Sequence, residues 1–125
     1  GSLIGSCSPL HCTGIGKAIL AFLDEKTLHE QLEKIEWTRY TDTTLLSASA
    51  LLRDLAEIRK RGYAIDNCEH ELGVYCLAAP VLDYSGHAVA GISISGSELY
   101  LKNRTAELAA LVRNAAAKIS NEYHG

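Results

Sequence analysis

The spacing of apolar residues changes character along the chain, and each change marks a structural element. From Gly16 to Leu23, the residues Ala18, Ile19, Leu20, Phe22 and Leu23 are apolar nearly all round, which predicts a buried helix with a partly buried N-terminus. Asp24 then caps a helix in which Leu28, Leu32 and Ile35 recur at helical spacing while Glu25, Lys26, Glu30 and Glu33 face water. The stretch WTRYTDTT, Trp37 to Thr44, is aromatic and β-branched without a clear face, and is expected as a loop or short extended piece. The helical period resumes after Ser47 or Ser49, either of which can cap. Leu51, Leu52, Leu55 and Ile58 form one stripe there, Arg59, Lys60 and Arg61 complete the last turn, and Gly62 is the stop.

Beyond Gly62 the period shortens. YAID (Tyr63 to Asp66), VYCLAAPVL (Val74 to Leu82) and HAVAGISIS (His87 to Ser95) are predicted strands, the last two joined as a hairpin through the turn DYSG. A long amphipathic helix follows from about Lys102 to Tyr123, capped near Asn103, with Leu108, Leu111, Val112, Ala115 and Ile119 as its inward stripe. No repeat, linker or low-complexity tract interrupts this order. Helices, then strands, then a helix imply an α+β fold with a mostly antiparallel sheet and helices packed on it.

Composition narrows the function. A chain of 125 residues with 47% hydrophobic positions and two prolines fits one domain with a real core. Twelve basic residues are scattered among fifteen acidic ones, for a net charge of −3 and a pI near 5.9, which argues against this chain gripping nucleic acid on its own. The apolar runs, such as Ala18 to Leu23, are far shorter than a bilayer span, and no charged-then-apolar leader precedes them. No membrane partner is expected. Cys7, Cys12, Cys68 and Cys76 are expected as reduced thiols of a cytoplasmic protein. Gly1-Ser2 looks like a cloning remnant, and the expected domain is 3–125, a fragment of something longer.

Several stretches invite chemistry. PLHCTGIGKAIL carries glycines and a lysine ahead of an apolar run, but a nucleotide phosphate loop needs Gly and Ser/Thr where His11 and Ala18 stand. Ile19 likewise breaks the dinucleotide pattern. What survives is that Thr13-Gly14-Ile15-Gly16 precedes a buried helix, whose unpaired first amides can meet a carboxylate or phosphate; the alternative is that Thr13 simply caps and the glycines relieve crowding. In GISISG, alternation puts Ile92 and Ile94 on one strand face and Ser93 and Ser95 on the other, where they line a pocket if covered and meet solvent if not. Asp66 is either an acceptor for its own backbone or a ligand-orienting carboxylate. His11, Cys12, Cys68, His70 and Cys76 lack metal-ligand spacing, so no metal site is expected. Cys76 with His70 as base is a conceivable nucleophilic pair, against the plainer reading of a small buried thiol. Glu69-His70-Glu71 is expected as a solvated charged loop, with Glu69 able to orient His70.

Taken together, PLHCTGIGKAILAFL, RKRGYAIDNCEHELGVYCLAAPVLDYSG and AGISISG resemble, in order and over nearly the whole chain, the C-terminal effector-binding domain of the IclR family of bacterial transcriptional regulators. The resemblance implies a GAF-like domain with a mixed or antiparallel sheet and flanking helices. It also implies a small organic acid as effector, and a separate winged helix-turn-helix domain upstream, absent here, through which DNA is bound. By that resemblance the effector carboxylate meets the amides of Gly14 and Ile15, and Asp66, Val74, Cys76, Ser93 and Ser95 match the remaining pocket positions. No cofactor and no catalytic residue are implied; the assembly is a homodimer or homotetramer. Lys17 is expected to face away from the carboxylate, into a structural ion pair. Two features depart from the family pattern. Only Leu3 to Ser8 stand where a helix and further strands usually precede the P-L-H segment, and Leu101-Lys102-Asn103 lacks the usual hydroxyl cap, so the last helix is expected to begin late. An assembly module without a working pocket and a cysteine hydrolase remain the alternative readings.

Overall fold

The computed structural model describes residues 9–124. Helices α1 (Gly14–Ala21), α2 (Glu25–Lys34) and α3 (Ala48–Arg61) come first, followed by strands β1 (Ala64–Asn67), β2 (Val74–Leu82) and β3 (Ala88–Ser97). A short α4 (Glu98–Leu101) and a 3-10 turn, Lys102–Arg104, lead into α5 (Thr105–His124). The α+β class is as expected. The sheet runs β1-β2-β3 with both pairings antiparallel, so of the two sheet types anticipated the antiparallel one is observed among the described residues.

Local chemistry accounts for the element ends. Thr13 caps α1, its hydroxyl accepting from the Gly16 amide at 3.1 Å, so the helix starts two residues before the apolar run and takes Gly14 and Ile15 into its first turn. Of the two serines ahead of α3, Ser47 is the cap, accepting from Ala50 N at 3.1 Å, while Ser49 accepts from the Arg53 side chain. Gly62 ends α3 at φ 87°, the left-handed conformation that favours glycine. Two strand boundaries differ from expectation. β1 is shifted by one residue because Asn67 still pairs with Tyr75, and β3 runs on to Ser97 because β2 supplies a partner as far as Val74.

The last helix departs most. Ser97 caps α4, accepting from Leu99 N, so helical turns begin earlier than Lys102, yet the long helix itself starts only at Thr105. Its buried row is Leu108, Ala109, Val112, Ala116 and Ser120. Three of the five expected stripe residues face out: Leu111 is 53% and Ile119 41% exposed, and Ala115 is also exposed. Small residues at 109 and 116 let the helix backbone lie close to the flat sheet, and the Ser120 hydroxyl accepts from Leu82 N at 2.9 Å. Helical period alone does not distinguish that row from its equally apolar neighbour.

β2 is central and buried on both faces. Its odd residues Tyr75, Leu77, Ala79 and Val81 pack on α5, and Ala78, among its even residues, joins the cluster formed with α1 and α3. Two layers of helix therefore sandwich one sheet.

Candidate functional site

The start of α1 rests directly on β2. A Cβ added at Gly14 would sit 2.7 Å from Cys76 Sγ and 3.3 Å from Ala78 Cβ, so glycine there is a condition of that approach. The Ile15 side chain lies on β3, where a Cβ on Gly91 would meet its Cγ2 at 3.2 Å. The first amides of a helix have no acceptor within it. Thr13 satisfies that of Gly16 and leaves those of Gly14 and Ile15 beside the sheet.

The strand register supplies the other half. Asp66 pairs with Cys76 and Cys76 with Ser95, while Ala64 pairs with Ala78 and Ala78 with Ser93. Directly opposed residues share a face about 5 Å apart, so Asp66, Cys76 and Ser95 form one row across the sheet, with Ser93 and Val74 two positions along on the same face. Gly14 touches this row at Cys76, while the Ile15 side chain lies further along, by Gly91, and Val74 lies at the other end of β2. The row is graded in access: Asp66 is 5% and Cys76 6% exposed, Val74 is half-buried, and Ser93 and Ser95 lie open.

The electrostatics follow from that burial. Asp66 Oδ1 accepts from the Glu69 amide at 2.7 Å, and burial pushes its carboxyl above the usual range against the pull of that amide and of Lys17. Burial likewise raises the Cys76 thiol, with the Ser95 and Ser93 hydroxyls and the Gly14 amide acting the other way. A neutral thiol is a donor to ligand oxygen and a poor nucleophile, which goes against the hydrolase reading. His70 packs its ring edge-on to Tyr40 at 4.9 Å.

Sequence reasoning anticipated an ion pair for Lys17 but not its partners, Asp54 and Glu69, which together with it hold this floor in place. Lys17, 1% exposed, donates to Asp54 Oδ2 at 2.7 Å, to the Ile65 carbonyl at 2.6 Å and to Glu69 Oε2 at 3.0 Å. Lys17 therefore does turn into a structural ion pair, away from the helix start. Glu69 corrects the expectation of a solvated loop, being buried with Oε2 also accepting from Asn67 N. Its Oε1 lies 3.0 Å from the same ammonium without a hydrogen bond of its own among the described residues. Burial raises the Glu69 carboxyl, opposed by Lys17.

The stretch Trp37 to Thr44 is a loop, as one of its two readings had it. Its Thr44 hydroxyl donates to Glu69 O at 2.6 Å and Thr43 to the carbonyls of Asn67 and Cys68, fastening the β1–β2 loop. Cys68 there holds φ 58°, a costly conformation for a residue with a Cβ. The available signal for the network was a lone lysine inside an otherwise apolar helix.

Among the described residues no cluster of His, Cys, Asp or Glu is arranged to hold a metal, and Cys12, Cys68 and Cys76 are unbridged; Cys7 lies outside the described residues. No described helix is long and apolar enough to cross a membrane.

Comparison with known proteins places the chain in a family. Residues 1–121 match the family described as bacterial transcriptional regulator IclR C-terminal. The transcriptional regulator BhcR of Paracoccus denitrificans is 44% identical over 117 residues, which are 93% of this chain and 42% of BhcR. The solved C-terminal domain of the Escherichia coli regulator KdgR superposes with a TM-score of 0.86 at 40% identity, covering 94% of this chain and 73% of that one. The inducer-binding domain of PobR from Acinetobacter, solved as a double mutant with 3-hydroxybenzoic acid, has a TM-score of 0.81 at 30% identity, covering 93% and 69%. These relatives are regulators, not enzymes, and the chain spans less than half of BhcR. The chain belongs to the IclR family of bacterial transcriptional regulators, as part of its C-terminal domain.

Proposed function

We propose that the chain senses a small organic acid at the crossing of α1 and the sheet. The acid's carboxylate is received by the Gly14 and Ile15 amides, and its oxygen substituents are oriented by Asp66, Cys76, Ser93 and Ser95 beside Val74. The observation that carries the reading is the single row Asp66–Cys76–Ser95 lying beneath a helix start whose glycine is required by contact with Cys76. A helix N-terminus favours an anion, and a neutral thiol with two hydroxyls supplies donors for further oxygens. PobR's hydroxybenzoate supports a carboxylic acid as the ligand class. In the complete protein, a DNA-binding domain upstream is read as the output, and a dimer or tetramer as the assembly. Effector binding would then shift the population of two arrangements of that assembly on DNA.

The test is a thermal-shift titration with keto, hydroxy, sugar and aromatic acids, with Ser93→Ala/Ser95→Ala as control. Both serines are exposed, and circular dichroism checks that the variant folds. At a hundredfold excess over Kd a ligand of the folded state adds about 2.7 kcal/mol. A saturable rise of the midpoint for one acid class, lost in the double variant, supports the reading. Absence of any shift for a chain that melts cooperatively sinks it in favour of an assembly module.

A further inference from the structure

A concavity lies at the distal end of β2. It measures about 570 Å³ and runs between the last turn of α3, the distal end of β2 and the last turns of α5. Its origin is topological: among the described residues β1 pairs with residues 75 to 78 of β2, so from Ala79 to Leu82 that side of the strand has no strand neighbour there. Pro80 brings no N–H to the gap. Leu82 is satisfied by α5, its amide donating to Ser120 Oγ and its carbonyl accepting from His124 Nε2 at 2.8 Å.

The lining divides by polarity. Phe22, Ala79, Pro80, Leu82 and Ala117 give an apolar floor, and Arg59, Lys60, Arg61 and Arg113 stand round it. Arg61 is committed, its Nε donating to Tyr63 O and its guanidinium stacked 5.0 Å from the Tyr63 ring. Arg59 spends one nitrogen on a long 3.4 Å contact to Ala21 O. Lys60 has an exposed Glu57 at 3.6 Å, worth little in water. Arg113 lies against Gly62, whose added Cβ would meet its Nε at 3.0 Å, and neither it nor Arg59 is paired with a carboxylate among the described residues. Asp83 is the acidic residue lining the cleft, and its Oδ1 is taken up by Ser85 N, Ser85 Oγ and His87 N within the hairpin turn.

Basic residues in a last helical turn complement the helix dipole, which accounts for Arg59 and Lys60. It does not account for Arg113, which arrives from another helix. Nor does a net charge of −3 lead one to expect cations gathered at one cleft.

We propose that this cleft is a second ligand site, distinct from the sheet-face site, for a small amphipathic anion. An aromatic or short acyl body lies on the floor, and a carboxylate, sulfonate or phosphate is held among Arg59, Lys60 and Arg113. The volume suits a ligand of that size, and charge-assisted bonds from two guanidinium groups supply direction.

The probe is 1-anilinonaphthalene-8-sulfonate, followed by fluorescence at low and moderate salt. Saturable binding is expected, weakened by about tenfold or more in Arg59→Glu/Arg113→Glu and by added salt, and lost when Ala117→Trp fills the floor. Ser93→Ala/Ser95→Ala is expected to leave it unchanged. Both arginines and Ala117 are exposed, and circular dichroism checks that each variant folds. Equal affinity in the charge-reversal and Ala117→Trp variants, loss in the serine variant instead, or no saturable binding overturns the proposal. Only loss in the serine variant would assign the probe to the sheet-face site, so the two readings fail separately.

Discussion

The two faces of β2 solve different problems with alternate residues of one strand. Toward α5 the strand presents Tyr75, Leu77, Ala79 and Val81, which meet Leu108, Ala109, Val112 and Ala116 in an apolar layer. Toward α1 it presents Cys76 and Ala78, small enough for a helix N-terminus to touch the strand, and the polar groups gather here: Asp66, the serines and, behind them, the Lys17 network. Where the face toward α5 packs tightly, its layer is apolar apart from the Tyr75 hydroxyl, which bonds Thr105. The face that can bind is thin in apolar bulk, and a buried lysine shared between two carboxylates fixes its floor.

The comparison breaks first at Lys17. Lys17→Ala leaves Asp54 and Glu69 without their cation in a buried place and is expected to cost about 3–5 kcal/mol in urea unfolding. A loss below about 1 kcal/mol would mean that the network adds little to the face. Leu77→Ala, on the opposite face, is expected to cost about 2–4 kcal/mol through lost burial and a cavity, with acid binding at the α1 face kept in whatever fraction stays folded. Loss of binding there at full folding would show that the two faces are coupled.

Gly14→Ala sharpens the contrast. Its Cβ runs into Cys76 Sγ, for an expected cost of about 1–3 kcal/mol and a weakened response to acids. Adding Cys76→Ala removes the sulfur and is expected to restore part of the stability, measured as a non-additive double-mutant cycle. Simple additivity would refute the contact as the cause.

The smallest effect is in the pH profile. Burial raises the Asp66 and Glu69 carboxyls, so the folded chain holds those protons to higher pH than the unfolded one. Their contribution is therefore fully present below the ordinary carboxylate range and is lost as pH rises through the raised values. Asp66→Asn keeps an acceptor for the Glu69 amide and is expected to flatten that slope in melts between acid and neutral pH. An unchanged slope would place the titration elsewhere.

Much of this was legible locally. Thr13, Asp24, Ser47 and Gly62 act at helix ends through their own hydroxyl, carboxylate or conformational freedom, and each of those signals is contained in a few adjacent residues. The row on the sheet was legible only as separate suspects. Alternation put Ser93 and Ser95 on one face, but which face α1 would cross depends on how residues more than seventy positions apart in the chain pack. The α5 stripe failed for the same reason: Leu111 and Leu108 are equally apolar, and the sheet chose the row carrying Ala109, Ala116 and Ser120.

The sequence by itself determined the main helices and strands, their order, the hairpin and the family, though not the short α4, because periodicity, caps and ordered motifs are properties of neighbouring residues. Only the tertiary structure decided which apolar stripe is buried, that Glu69 leaves solvent to meet Lys17, and that the basic end of α3 shares a cleft with Arg113. Those outcomes rest on desolvation and contact between distant segments, and a charge acquires its partner only when the chain has closed around it.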